Sequence, residues 1–98
     1  MPVADYALSV VVTKRPYFGK RQIRRLNQIH KGLLIRICNE GTNTIFEVIR
    51  RYKESGFWKL DLRFCKGSAF WKRTILLENY SVIGNKNGNW SSNWLEKA

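Results

Sequence analysis

The sequence predicts a mainly α-helical α+β domain, in which a short N-terminal strand precedes a long, basic, amphipathic helix. Three observations lead to this prediction. Residues 6–12 read YALSVVV, a β-branched run that favours a strand. From Lys20 onward, apolar residues recur every three or four positions, which is the period of a helix. Pro16 and Gly19 lie between the two patterns and predict a loop.

The long helix is predicted to run from Lys20 to Ser55, with Gly56 as the glycine that follows its last turn. Gly41 allows two interpretations, because it either separates two helices or bends a single one. We expect a single helix, since the apolar positions keep their phase across Gly41. The first part of this apolar face is Ile23, Leu26, Ile29, Leu33, Leu34, Ile37 and Cys38, and the second is Ile45, Val48, Ile49 and Tyr52.

Two shorter elements and a tail follow. Residues 57–65 (FWKLDLRFC) alternate apolar and polar side chains, which predicts a half-buried strand, with a short helix as the competing interpretation. Residues 69–80 (AFWKRTILLENY) are predicted to be helical. We expect residues 1–83 to form a single small basic domain. Residues 84–98 are rich in Asn, Ser and Gly and predict a flexible C-terminal tail.

Length and composition limit the class of protein. A chain of 98 residues supports one small hydrophobic core, and its 44% hydrophobic content is enough to fold. Cys38 and Cys65 lack CxxC spacing, so we expect two reduced, buried thiols in a cytoplasmic protein. Association with the nucleoid or with RNA is left open. No apolar run approaches the length of a membrane-spanning helix, and the first residues lack the pattern of a signal peptide.

Charge gives the strongest indication of a partner. The chain has 18 Lys and Arg against 7 Asp and Glu, a net charge of +11, and residues 6–39 hold eight bases and no acid. A positive field concentrated in one half indicates a polyanion, most commonly nucleic acid, and we favour RNA over DNA. An anionic membrane surface is an alternative partner. The simplest interpretation is that the basic charge only keeps the chain soluble.

The most specific prediction concerns residues 14–25 (KRPYFGKRQIRR), where six bases surround Tyr17 and Phe18. Lys and Arg neutralise phosphates, and aromatic rings stack on unpaired bases. Alternatively, the two rings pack at the start of the helix. A further cluster, Lys72 and Arg73 beside Trp71, would extend the surface. The predicted nucleic-acid-binding residues are Lys14, Arg15, Tyr17, Lys20, Arg21, Arg24, Arg25, Lys31, Arg50 and Arg51.

No catalytic site, metal site or cofactor is predicted, so we expect a protein that is not an enzyme. His30 is the only histidine and has no second ligand at a metal-binding spacing. Glu40, Glu47 and Glu54 repeat every seven residues, which on a helix places them roughly 10 Å apart, too far to share an ion. The seven glycines form no phosphate-binding motif.

Several stretches carry a family resemblance: YALSVVV at residues 6–12, RICNEGTNT at 36–44, RRYKES at 50–55 and ILLENYSV at 75–82. Their order resembles the N-terminal part of TnpB/OrfB-type transposon-associated RNA-guided nucleases. The resemblance implies a wedge-domain strand and a recognition-lobe helix whose basic residues contact guide RNA and target duplex. It also implies a truncated form, because the family's nuclease carboxylates and four-cysteine zinc module have no counterpart here.

Two other functions remain open. A protein-interaction module, such as a small inhibitor from a phage or mobile element, would use Trp90 and Trp94 as anchors. A peripheral membrane binder would use the amphipathic helix that begins at Lys20.

Overall fold

The computed structural model describes residues 11–12, 19–41, 43–66, 69–85 and 87–98, and this part of the chain contains strands and two short 3-10 helices but no α-helix. The 3-10 helices are Leu26–Gln28 and Leu77–Asn79. The strands are β1 (Val11–Val12), β2 (Leu34–Ile37), β3 (Phe46–Glu54), β4 (Phe57–Lys66), β5 (Ala69–Leu76), β6 (Trp90–Ser91) and β7 (Leu95–Lys97).

The strands form a five-stranded sheet and a separate pair. The order in the sheet is β5-β4-β3-β2-β7, and every neighbouring pair is antiparallel. Strands β2 to β5 follow one another as hairpins, and β7 joins the free edge of β2. The pair consists of β1 and β6. Val11 and Val12 therefore form part of a strand as predicted, and residues 6–10 lie outside the described residues.

The prediction of a mainly helical chain with one long helix is wrong. Ser55 and Gly56 have φ values of 53° and 83°, which a two-residue hairpin turn of type I′ requires and a helix excludes. They connect β3 to β4, with Glu54 opposite Phe57. The glycine that was predicted to end a helix therefore reverses the chain between two strands.

A β-bulge explains why β3 resembles a helix in sequence. Val48 pairs with Leu62 and Arg50 pairs with Asp61, so Ile49 is an extra residue in β3. The bulge changes the parity of the alternating pattern halfway along the strand. Apolar residues before and after the bulge are therefore separated by three or four positions, which is also the period of a helix.

Residues 69–80 correct a second helical prediction. Residues 69–76 form β5, and only Leu77–Asn79 is helical, as a single 3-10 turn. In β5, Trp71 and Arg73 lie opposite Phe64 and Leu62, while Lys72 and Thr74 lie on the other face. Aromatic and β-branched residues favour this pleated geometry. Residues 57–65 are confirmed as part of a strand.

The core covers one face of the sheet, which we call the inner face. It holds alternate residues of the strands, each almost fully shielded from solvent, together with residues of the irregular segments. Burial of each such side chain stabilises the fold by about 1.5–3 kcal/mol. The core residues are Ile23, Ile29, Ile35, Ile37, Phe46, Val48, Leu60, Leu62, Ile75, Leu77, Val82 and Leu95.

Residues 84–98, which were predicted to form a flexible tail, supply β6 and β7 to the fold. The side chain of Leu95 is fully buried in the core, and β7 pairs with β2 along three residues. The backbone N–H of Ile23 donates a hydrogen bond to the Leu95 carbonyl at 2.8 Å. Among the described residues, no helix is both long and apolar enough to cross a membrane.

Candidate nucleic-acid interface

Asp61 is the centre of a polar network on the outer face of the sheet, opposite the core. Its carboxylate accepts hydrogen bonds from Arg50 Nε at 2.8 Å, Thr74 Oγ1 at 2.8 Å and Tyr52 Oη at 3.0 Å. The Arg50 guanidinium also lies over the Tyr52 ring, 4.1 Å from its centroid. These contacts restrict the long side chain of Arg50 to one position on the strand.

The network shifts the pKa of both charged partners. Partial burial by itself would raise the pKa of Asp61, but hydrogen bonds from Arg50, Thr74 and Tyr52 outweigh it and lower that pKa. The hydrogen bond to Asp61 raises the pKa of Arg50. Both shifts favour the charged forms, so this ion pair persists across the neutral pH range.

Two more ion pairs occupy the same face. Lys59 Nζ lies 2.7 Å from Glu54 Oε1, and this hydrogen bond raises the pKa of Lys59 and lowers that of Glu54. Arg63 Nη2 donates to Glu47 Oε1. Residues predicted to form a helical stripe of acids therefore pair individually with bases on a neighbouring strand. Both pairs are partly exposed to solvent, so each contributes little to the stability of the fold.

A groove runs from the edge of β3 across the outer face to β5. Two adjoining cavities form it, with volumes of about 340 Å³ and about 350 Å³. Lys31 and Ile49 line both cavities. The first is also lined by Ile29, His30, Arg50 and Arg51, and the second by Glu47, Val48, Arg63, Phe70 and Lys72. We call the combined surface the basic groove.

Lys31 reaches this groove because residues 29–33 run beside β3. Gly32 N–H donates to the Val48 carbonyl at 2.8 Å, and Val48 N–H donates to the Leu33 carbonyl at 2.9 Å. Gly32 has a φ of 91°, a conformation that L-residues with a Cβ rarely adopt, so the turn at this position favours glycine. The turn places Lys31 next to the bulged Ile49.

Positive charge dominates the lining of the groove, where five cations accompany the single carboxylate of Glu47. Arg63 is paired with Glu47, and Arg50 is paired with Asp61 beside the groove. Within the described ranges, no carboxylate lies within 4 Å of Lys31 or Lys72. Their charges therefore remain available to an anionic ligand.

One exposed aromatic ring lines the groove. Phe70 is 56% exposed, the largest exposed fraction among the bulky apolar side chains of the described residues. The Arg63 guanidinium carbon lies 5.9 Å from the centroid of the Phe70 ring, within the range of a cation–π contact. The groove thus combines cationic and aromatic groups, the two components of a surface that binds nucleic acid.

The structure brings three of the predicted binding residues together, since Lys31, Arg50 and Arg51 all line the groove. Arg51 also connects β3 to the first 3-10 helix, because its Nη1 donates to the Leu26 carbonyl. Its guanidinium lies 5.4 Å from the centroid of the Trp58 ring.

Lys20, Arg21, Arg24 and Arg25 lie in the irregular segment before the first 3-10 helix. Arg24 Nη2 donates to the Gly19 carbonyl at 2.8 Å, and the Arg21 carbonyl accepts from Lys97 N–H beside β7. The segment therefore extends towards the sheet edge opposite β5. The predicted residues Lys14, Arg15 and Tyr17 lie outside the described residues.

Arg63 and Phe70 were not predicted as site residues, and Lys72 was considered only as an extension. The alternation of residues 57–65 is the signal that places Arg63 on the polar face of a strand. Lys72 pairs with Arg63, and Phe70 pairs with Cys65, in the backbone register only when residues 69–76 form the next antiparallel strand. The helical interpretation of that segment therefore concealed the grouping.

Arg73 and Trp71, considered together with Lys72, lie on the inner face instead. Arg73 Nη1 donates to Glu40 Oε1 at 2.5 Å, and this hydrogen bond raises the pKa of Arg73. Trp71 is 53% exposed and stacks on Phe64, with ring centroids 5.7 Å apart. These groups face away from the basic groove.

The two tryptophans predicted as protein anchors are half-buried. Trp94 Nε1 donates to Glu96 Oε2 at 3.0 Å, and Trp94 N–H donates to Cys38 Sγ at 3.2 Å. Cys38 is a free thiol whose pKa is raised, mainly by burial, so little of it is in the reactive thiolate form. The side chain of Cys65 lies outside the described residues.

One further cavity is lined by asparagines. It measures about 340 Å³ and is bordered by Glu78, Asn79, Tyr80, Asn85, Asn89, Ser91 and Asn93. Across the ranges that the structure describes, no three His, Cys, Asp or Glu side chains come together as a metal site.

No model of a known protein family matches the chain, and searches of curated proteins and of solved structures return no significant match. The resemblance to TnpB-type proteins stays a prediction. The long helix that it implies is absent from the described part of residues 20–55, which contains β2, β3 and one 3-10 turn.

Proposed function

We propose that this protein is a non-catalytic nucleic-acid-binding protein that holds its ligand in the basic groove, with RNA as the favoured ligand. The observation that carries the proposal is the lining of five cations and one carboxylate. Each lysine or arginine that neutralises a phosphate releases condensed counterions, which makes such a surface attractive to a polyanion.

The pairing pattern supports contact with phosphates. Lys31 and Lys72, at the β3 and β5 sides of the groove, supply point charges. Arg50 binds Asp61 through Nε and retains further N–H donors, since a guanidinium has five. The four cations of residues 20–25 would add long-range attraction from a neighbouring surface.

A salt titration of Lys31→Gln/Lys72→Gln tests the proposal. Binding of the wild-type protein to single-stranded RNA, structured RNA, duplex DNA and heparin is measured by fluorescence anisotropy across a range of salt concentrations. Each lost phosphate contact removes about 0.7–0.9 from the slope of log K against log salt. We therefore expect the double variant to lose roughly 1.5 from this slope and to bind about tenfold more weakly at low salt.

Lys97→Gln is the matched control for the single variant Lys72→Gln. Both residues are exposed lysines on edge strands of the same sheet, but Lys97 lies on β7 and Lys72 on β5. Equal losses from the two substitutions would indicate generic attraction to a basic protein and would contradict the groove as the binding site. Absence of micromolar binding to any of the four polyanions at low salt would contradict the proposed function itself.

Protein interaction is the second candidate. The edge strand β5 displays Phe70 and Trp71, each more than half exposed, on opposite faces of the sheet. Large exposed aromatics at a sheet edge are typical anchors for a protein partner. Failure to bind nucleic acid, together with capture of an acidic partner that Trp71→Ala abolishes, would favour this function.

A further inference from the structure

We infer that the ligand of the basic groove is a single strand, and that one of its unpaired bases stacks on Phe70. This inference rests on the proposed function and names the form of nucleic acid that the groove accepts. It starts from the position of Phe70, whose ring is more than half exposed although it lies among cations. A ligand that covers this ring would remove apolar surface from water, which is favourable.

The neighbours of Phe70 fix a stacking site. Arg63 lies over the ring at 5.9 Å, and its hydrogen bond to Glu47 holds the guanidinium in place. Lys72 lines the same part of the groove and has no carboxylate partner among the described residues. A base on Phe70 would therefore have both a fixed guanidinium and a cation for its phosphate close by, since Arg63 and Lys72 pair with each other across β4 and β5.

The floor of the groove adds an apolar component. The half-buried Ile49 lines it beside Lys31 and reaches this position because of the β-bulge, whereas the Val48 side chain is buried in the core. A duplex presents phosphates and sugars on its outside and keeps its bases stacked within, so it would leave Phe70 and this floor without an apolar partner. A single strand supplies both phosphates and unpaired base faces.

The test compares three ligands of equal length: an unstructured single-stranded oligouridine, its abasic counterpart with the same phosphates, and a duplex RNA. Loss of one stacking aromatic typically weakens single-strand binding by about 5- to 100-fold. We expect the wild-type protein to prefer oligouridine over the abasic strand by this factor. Phe70→Leu should remove the preference and leave the salt slope unchanged, whereas Phe70→Tyr should retain both.

Trp71→Leu is the matched control, because Trp71 is the next residue of β5, is similarly exposed and lies on the opposite face. It should retain the preference, and thermal unfolding checks that each variant is folded. Equal binding of the three ligands, with no effect of Phe70→Leu, would overturn the inference and leave the proposed function standing. An equal loss for all three ligands in Phe70→Leu would also overturn it. Absence of binding by the wild-type protein would overturn both.

Discussion

The basic segment of residues 20–25 and the outer face of β3–β5 each carry four cations, yet their surroundings differ. The segment contains no carboxylate, and its hydrogen bonds mainly fix its backbone, since Ile23 N–H donates to the Leu95 carbonyl and the Arg21 carbonyl accepts from Lys97 N–H. Arg24 Nη2 also donates to the Gly19 carbonyl. The outer face holds three of its cations in ion pairs, and its remaining cation is Lys72.

This difference shows that a high density of charge along a sequence and a surface with defined cation positions are separate properties. A cation held by a neighbouring carboxylate loses less conformational freedom when a ligand binds. The segment has four cations and no carboxylate of its own, and the sheet offers better-defined cation positions. Under the proposed function, the segment would supply long-range attraction and the groove would position the ligand.

The largest expected effect concerns stability, and it contrasts the sheet with the segment that covers it. Leu62 is fully buried, whereas Leu26 is only partly buried against the same core. Leu62→Ala should destabilise the fold by about 2–5 kcal/mol because it opens a cavity. Leu26→Ala should cost about 1 kcal/mol. Urea unfolding measures both, and equal losses would contradict the sheet as the main source of stability.

An intermediate effect concerns the segment as a source of attraction. Simultaneous substitution of Arg21, Arg24 and Arg25 by Ala should weaken RNA binding and reduce the salt slope by up to about three. The preference for unpaired bases should remain, since Phe70 lies elsewhere. Unchanged affinity and slope would exclude the segment from the interface, and loss of the base preference would place the stacking site there.

The smallest expected effect concerns Asp61→Asn, which weakens the ion-pair network on the outer face. The variant should lose about 1 kcal/mol of stability at neutral pH, and low-salt RNA binding should tighten a few-fold because Arg50 is no longer neutralised. Glu78→Gln is the control, because it removes a carboxylate that has no ion pair among the described residues. A loss of RNA binding in Asp61→Asn would contradict this prediction and would show that the positioning of Arg50 by Asp61 outweighs the neutralisation of its charge.

The pH dependence of the same network has a defined sign. The pKa of Asp61 is lower in the folded protein than in the unfolded chain, where it is about 3.9. The resulting stabilisation is fully present above the unfolded pKa and is lost as the pH falls through the folded pKa. Unfolding measured between pH 6 and pH 2 should show a smaller acid destabilisation in Asp61→Asn than in the wild-type protein. Identical profiles would contradict the ion pair.

The sequence alone predicts part of this fold. The alternation of residues 57–65 predicts β4, and the β-branched run before Thr13 predicts the strand that contains Val11 and Val12. The helical prediction failed because two local features dominate residues 46–56. The bulge at Ile49 breaks the strand alternation, and the Ser55-Gly56 turn was interpreted as a helix end. The bulge and the turn both depend on the pairing of β3 with β4, which the local periodicity of the sequence does not reveal.

The candidate site was predictable to a similar extent. Local charge identified Lys31, Arg50 and Arg51, which line the groove. Arg63 and Phe70 could not be grouped with them, because their proximity comes from the register of β3, β4 and β5 rather than from sequence spacing. Long-range pairing therefore determines the composition of the groove.

Mapping of amide chemical shifts during titration of ¹⁵N-labelled protein with oligouridine tests the central claim most directly. The account predicts that the largest shifts cluster along the basic groove, at Lys31, Ile49, Arg63, Phe70 and Lys72, with smaller shifts in residues 20–25. Shifts confined to residues 20–25, or centred on Trp90 and Trp94, would show that the ligand binds elsewhere and would contradict the groove as the interface.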